Sequence, residues 1–230
     1  MTGTDERASA IREEPVAECD VLRGLERISS VDPRYAARAA VDPKVEVGYR
    51  PMTIEDHWND ISAMALHEGV PRSIRVQFET ARNLVLYSWF AYRFQQVAEM
   101  QAYASVEFAL RRRAGLAIRD LGPGLKRLLE RAVEEGWIHD EGFRHYRRVA
   151  EQRAEQEESP PVGTEPDSPV TRELQAYVKI LAETLPFLRN ELAHGSAMLS
   201  GSAKRTLALC CDLINQLFPT VAPEAAGVGQ

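Results

Sequence analysis

Arg189, Asn190 and His194 fall within six consecutive positions, and their side chains are of the kinds that phosphate chemistry uses. A guanidinium offers a planar fork of donors to a phosphate and stabilises the charge that builds there during attack. An imidazole titrates near neutrality, so it can accept or deliver a proton under mild conditions. A neighbouring carboxamide can orient that ring or donate to a phosphate oxygen. The set suits holding a phosphate and moving a proton beside it.

The element that must position these groups is a helix. At 100° per residue, Leu174, Tyr177, Leu181, Leu185, Leu188 and Leu192 form one stripe, which the pattern assigns to the core. Asn190 and His194 project away from it, with Arg189 on the flank. Pro186 removes the donor that would reach Ala182 and is expected to bend the helix, and Gly195 is a natural C-cap. A second, smaller apolar set, Ile180 and Phe187, lies beside His194 and suggests contact with another subunit. Arg189 and His194 are about 140° apart around an ideal helix. They can meet on one ligand only through side-chain reach, the helix end or a two-fold mate.

Arg189-Asn190-Glu191-Leu192-Ala193-His194-Gly195 resembles the signature motif of HEPN domains, in which an arginine and a polar residue precede a histidine on a late helix of an all-α domain. Tyr103-Ala104-Ser105-Val106-Glu107-Phe108-Ala109-Leu110-Arg111 looks like the family's earlier helix, which often carries an acidic residue. Leu125–Trp137 and Leu207–Phe218 sit where such a domain places further helices, so the resemblance covers roughly residues 83–219. It implies an antiparallel helical bundle. It also implies a metal-independent, cofactor-free endoribonuclease of toxin–antitoxin or phage-defence type, acting as a homodimer. On this chain Arg189 would hold the phosphate, His194 would transfer protons, Asn190 would orient it and Glu107 would support Arg189. Other members of the family bind RNA, nucleotides or proteins without cleavage, so a non-catalytic module is the alternative, with an antitoxin or other protein among its possible partners. A third reading is a scaffold that dimerises through Ile180 and Phe187.

Glu107 has a competing role as an i,i+4 partner of Arg111. Arg111, Arg112 and Arg113 are candidate substrate-binding residues. Arg144, His145, Arg147 and Arg148 are a second basic set, although such runs are more often solvated faces. His57 and His67 do not share a helix face, and His139 and His145 are remote from cysteines, so no metal site is expected. Gly122-Pro123-Gly124 lacks the spacing of a phosphate loop and reads as a turn.

The chain of 230 residues carries a net charge of −6, which disfavours an extended nucleic-acid groove. The acidity is uneven. Residues 1–30 hold seven acids against four bases, and residues 149–167 hold six against one, which leaves the remainder mildly basic. No apolar run reaches the ~18 residues of a membrane span. The first residues lack a secretory pattern, and three cysteines argue against a disulfide framework. A cytoplasmic location follows as an expectation.

Residues 1–50 read as a weakly ordered extension, residues 51–80 as an N-terminal helical segment and 81–219 as the bundle. Thr53 is expected to cap a helix that stops near Gly69-Val70-Pro71. Residues 73–113 form one long helix or two with a bend, followed by helices over Leu125–Gly136 and Trp137–Glu157. The proline-rich 157–170 stretch is a flexible loop, the motif helix starts at Ser168 or Thr171, and 220–230 is a tail. No strand alternation is evident.

Overall fold

A computed structural model describes residues 16–117, 122–158, 176–195 and 201–220. Among the described residues the fold is helical apart from one small hairpin. Its elements are α1 (Pro33–Ala36), β1 (Ala39–Val41), β2 (Tyr49–Pro51), α2 (Ile54–Ser62), α3 (Arg72–Tyr87) and α4 (Phe94–Arg113). Then come α5 (Leu125–Glu134), α6 (Arg144–Glu158), α7 (Ala176–Ala193) and α8 (Ala203–Leu217).

Helix α4 is the axis of the molecule, packed by α3, α5, α7 and α8. Residues from all sides of it are buried, including Ala98, Ala102, Tyr103, Val106, Ala109 and Leu110. The small residues let neighbouring helices approach closely, and α8 answers with Leu207, Cys210, Cys211, Ile214 and Leu217. Burial pushes the Cys210 thiol above its ordinary range and Cys211 up to about 11, so both behave as small apolar side chains. All three cysteines are free thiols.

Two local expectations hold closely. Thr53 caps α2 through a reciprocal box, its hydroxyl accepting from Asp56 N while the Asp56 carboxylate accepts from Thr53 N. Gly195 takes φ +86° just past α7, as a C-cap requires. The 73–113 stretch takes its two-helix form. Residues 88–93 separate α3 from α4 without any proline or glycine.

That break explains why the N-terminal extension is not weakly ordered over its described part. Asp32, fully buried, donates its own amide to Trp89 O at 2.9 Å and accepts from Tyr92 N at 3.0 Å. The same carboxylate caps α1, accepting from Arg34 N, with Pro33 at the first helical position. Arg34 and Arg23 pair with Asp32, while Arg34 and Arg93 pair with Asp20. Tyr35, also fully buried, shares a hydrogen bond with Ser88 Oγ at 2.7 Å and accepts one from Gln95. Backbone groups exposed by the α3–α4 bend are therefore satisfied from sixty residues upstream.

Other boundaries differ from the sequence reading. The division near residue 80 falls inside α3, whose Ile74, Phe78, Ala81 and Val85 join one core. Helix α2 ends at Ser62, well before Gly69. Ile138 and Phe143 precede α6 rather than lying on it, because Asp140 starts a short turn and gives its buried carboxylate to Tyr177 N and Val178 N of α7. The two strands of the hairpin are three residues each, too short to show alternation. Residues 157 and 158 close α6, whereas 159–170, the start of the motif helix before Ala176 and the 221–230 tail lie outside the described residues.

Candidate functional site

Helix α7 buries Val178, Leu181, Ala182 and Leu185 against the bundle. The core face is thus rotated from the expected stripe. Tyr177 and Leu192 are only half-buried, Leu188 is exposed, and Leu174 is outside the described residues. The helix continues through Pro186, and no side chain after Leu185 is buried. The motif thus sits where α7 leaves the core.

Arg189 turns toward α4. Its Nη2 donates to Glu107 Oε2 at 3.4 Å, and its Nη1 donates to Asn190 Oδ1 at 3.3 Å. Side-chain exposures of 40% for Arg189 and 27% for Glu107 leave this pair within reach of solvent and ligands. The choice between Arg189 and Arg111 as the group opposite Glu107 is thereby resolved for the ion pair in favour of Arg189.

His194 is exposed. Its backbone N donates to Asn190 O at 2.9 Å, which carries the helical turn to the Gly195 cap. Ile180, Phe187 and His194 recur at seven-residue intervals, so they share one face of α7 within about 40°. Ile180 is 60% exposed and Phe187 62%, so this face is uncovered apolar surface with the imidazole at its end. The geometry brings together Arg189, Asn190 and Glu107. On an ideal helix His194 falls about 140° around from Arg189.

The three arginines at the end of α4 do not act together. Arg111 donates to Ala117 O at 3.0 Å. Arg113 lies over the Trp137 ring at 5.4 Å, and Arg131 lies over the same ring at 5.3 Å. Arg112 is exposed.

The second basic set has a different setting. Arg144, His145 and Arg148 line a cleft of about 730 Å³ with Tyr103 of α4, Tyr177 and Leu188 of α7, and Arg205, Thr206 and Asp212 of α8. Asp212 is buried and accepts from Arg144 Nε at 2.6 Å and Arg144 N at 2.9 Å, which ties the start of α6 to α8. Tyr177 meets Phe143 edge-on at 5.2 Å. The basic run at 144–148 signalled part of this cleft. Arg205, beside Lys204 and sixty residues away, gave no such signal. Only the tie from Arg144 at the start of α6 to Asp212 of α8 unites them.

Among the described residues no group of three or more His, Cys, Asp or Glu side chains is placed to hold a metal ion. Among them, too, no helix is long and apolar enough to cross a membrane. Comparison with protein-family models, curated proteins and solved structures finds no match to the chain.

Proposed function

We propose that the protein is a metal-independent endoribonuclease of HEPN-like organisation whose working unit is a homodimer. The observation that carries this reading is the face of α7. His194 stands exposed on the same uncovered apolar surface as Ile180 and Phe187, at the end of the helix that holds Arg189 against Glu107. An isologous contact through the end of that surface, with its two-fold axis beside His194, brings the two His194 rings of a dimer near one another. One imidazole then removes the 2′-hydroxyl proton and the other protonates the leaving oxygen. Arg189 supplies positive charge to the phosphate, Asn190 orients it, and Glu107 holds it against α4.

The test is incubation of the purified protein with single-stranded RNA in EDTA, beside His194→Ala and Arg189→Ala. Cleavage by the wild type that falls at least a hundredfold in His194→Ala is expected. A shared site adds a second requirement: subunit exchange with excess His194→Ala protein lowers activity more than simple dilution does. RNA left intact by the wild type across pH 5–8 overturns the reading.

A non-catalytic module for RNA, a nucleotide or a protein is the second reading. It is favoured by the Arg189 fork already being engaged by Glu107 and Asn190. Tight RNA binding without cleavage, unchanged in His194→Ala, would select it.

A further inference from the structure

We propose that the cleft between α4, α6, α7 and α8 binds a nucleotide unit, with its phosphate between Arg148 and Arg205 and its base against the tyrosine-lined floor. The proposal stands apart from the nuclease reading, because none of Arg189, Asn190, His194 and Glu107 lines this cleft.

Charge is the first argument. Three arginines face one carboxylate there, an excess of two positive charges on a chain whose net charge is −6. Arg144 is committed to Asp212. Among the described residues no carboxylate pairs with Arg148 or Arg205, and both side chains are exposed. Arg148 lies 3.4 Å from His145 Nδ1, so the imidazole adds a polar neighbour and no negative charge. Two unneutralised guanidinium groups at one opening are suited to a dianionic or bridging phosphate, which accepts from planar forks.

Shape and floor are the second argument. A volume of about 730 Å³ falls in the range of pockets that enclose small organic ligands. The floor is apolar and aromatic: Tyr103 is buried, and half-buried Tyr177 is braced by Phe143 and by Tyr146 at 6.4 Å. A rigid aromatic wall beside a cationic rim recognises a flat ring joined to a phosphate, which is the chemistry of a nucleotide. An inorganic anion would leave that floor unused, and an apolar ligand would leave the arginines unpaired.

A nucleotide unit can come as a small molecule or as one residue of an RNA strand, and the experiment separates them. The full chain is titrated by calorimetry with ADP, adenosine, inorganic phosphate and a 2′-O-methyl pentanucleotide that cannot be cleaved. Arg148→Gln and Arg205→Gln, both at exposed helix positions, are titrated alongside Arg189→Gln. Binding of ADP or of the pentanucleotide is expected, weakened about tenfold or more by either cleft substitution. Adenosine and phosphate alone bind at least tenfold more weakly, and Arg189→Gln binds as the wild type does. ADP binding identifies the small molecule as the source, and binding of the pentanucleotide alone identifies a strand. No binding of either at millimolar concentration overturns the proposal. So does binding that Arg148→Gln and Arg205→Gln leave intact, or that Arg189→Gln weakens equally. Because the readout is binding and the probe is inert, loss of RNA cleavage in His194→Ala bears only on the nuclease reading.

Discussion

The Arg189–Glu107 ion pair joins α7 to α4 across 3.4 Å with both partners partly in water. Such a pair adds no more than about 1 kcal/mol to folding, so its value lies in where it holds the guanidinium. Glu107→Gln is therefore expected to shift the urea midpoint by less than the equivalent of ~1 kcal/mol. If the nuclease reading is right, the same substitution lowers RNA cleavage about tenfold or more through a misdirected Arg189. A variant that keeps full cleavage removes Glu107 from the site. His57 is a contrasting case. It is fully buried, its Nε2 donates to Val85 O at 2.8 Å, and its Nδ1 has no partner among the described residues. Burial holds its pKa below the ordinary 6.5, with Lys204 and Arg38 acting in the same sense and Asp60 opposing. The unfolded chain thus takes up this proton before the folded one. Stability contributed by a neutral His57 is complete above the unfolded value and is lost as pH falls below it, by at most ~1.4 kcal/mol per pH unit. Thermal midpoints between pH 7.5 and 5 should fall more steeply for wild type than for His57→Gln, and parallel curves would refute the assignment. At this scale the sequence exposed the candidates but not their directions. Arg189, Asn190 and His194 were legible as a cluster and Glu107 as one possible partner. The rotation of α7 about its axis depends on α4 and α5, which no local spacing reports.

Elements defined by local chemistry were readable, and those defined by distant partners were not. The Thr53–Asp56 cap, the Gly195 terminus and the break before α5 each depend on residues within four positions. The α3–α4 bend has no breaker of its own; the Asp32 carboxylate accepts from Tyr92 N there, and Asp32 N donates to Trp89 O. Asp32-Pro33 was visible as a turn signal, whereas its role as a buried hub required knowing what lay opposite. Asp32→Ala should cost about 3–5 kcal/mol, because it leaves Tyr92 N and two arginines without their acceptor in a buried place. Urea unfolding checks this, and a loss under ~1 kcal/mol would mean the corner is satisfied otherwise. A second check is Gly201, which enters α8 at φ +62°, where an added methyl group would press on the Tyr92 hydroxyl. Gly201→Ala is expected to lower stability by about 1 kcal/mol or more through this backbone strain alone. An unchanged melting temperature would contradict it.

At the scale of the described molecule, the chain's acidic balance of −6 coexists with a basic cleft and an uncovered apolar face on α7. The two surfaces make separable demands. Phe187→Glu is expected to abolish concentration-dependent association in sedimentation velocity, and with it any cleavage. Its effect on stability should stay within about 0.5 kcal/mol, since the side chain is already 62% exposed. A wild type that sediments as a monomer at its highest soluble concentration would sink the dimer and the shared site together. The corner built on Asp32 has one more consequence, for how the chain can be divided. Any shortened version beginning after residue 50 would lack the carboxylate that seals the joint between α3 and α4. Its bundle would inherit an open amide at Tyr92 and an Arg93 without Asp20. The leading segment thus works as a wedge driven in from outside, closing the corner between the helices behind it.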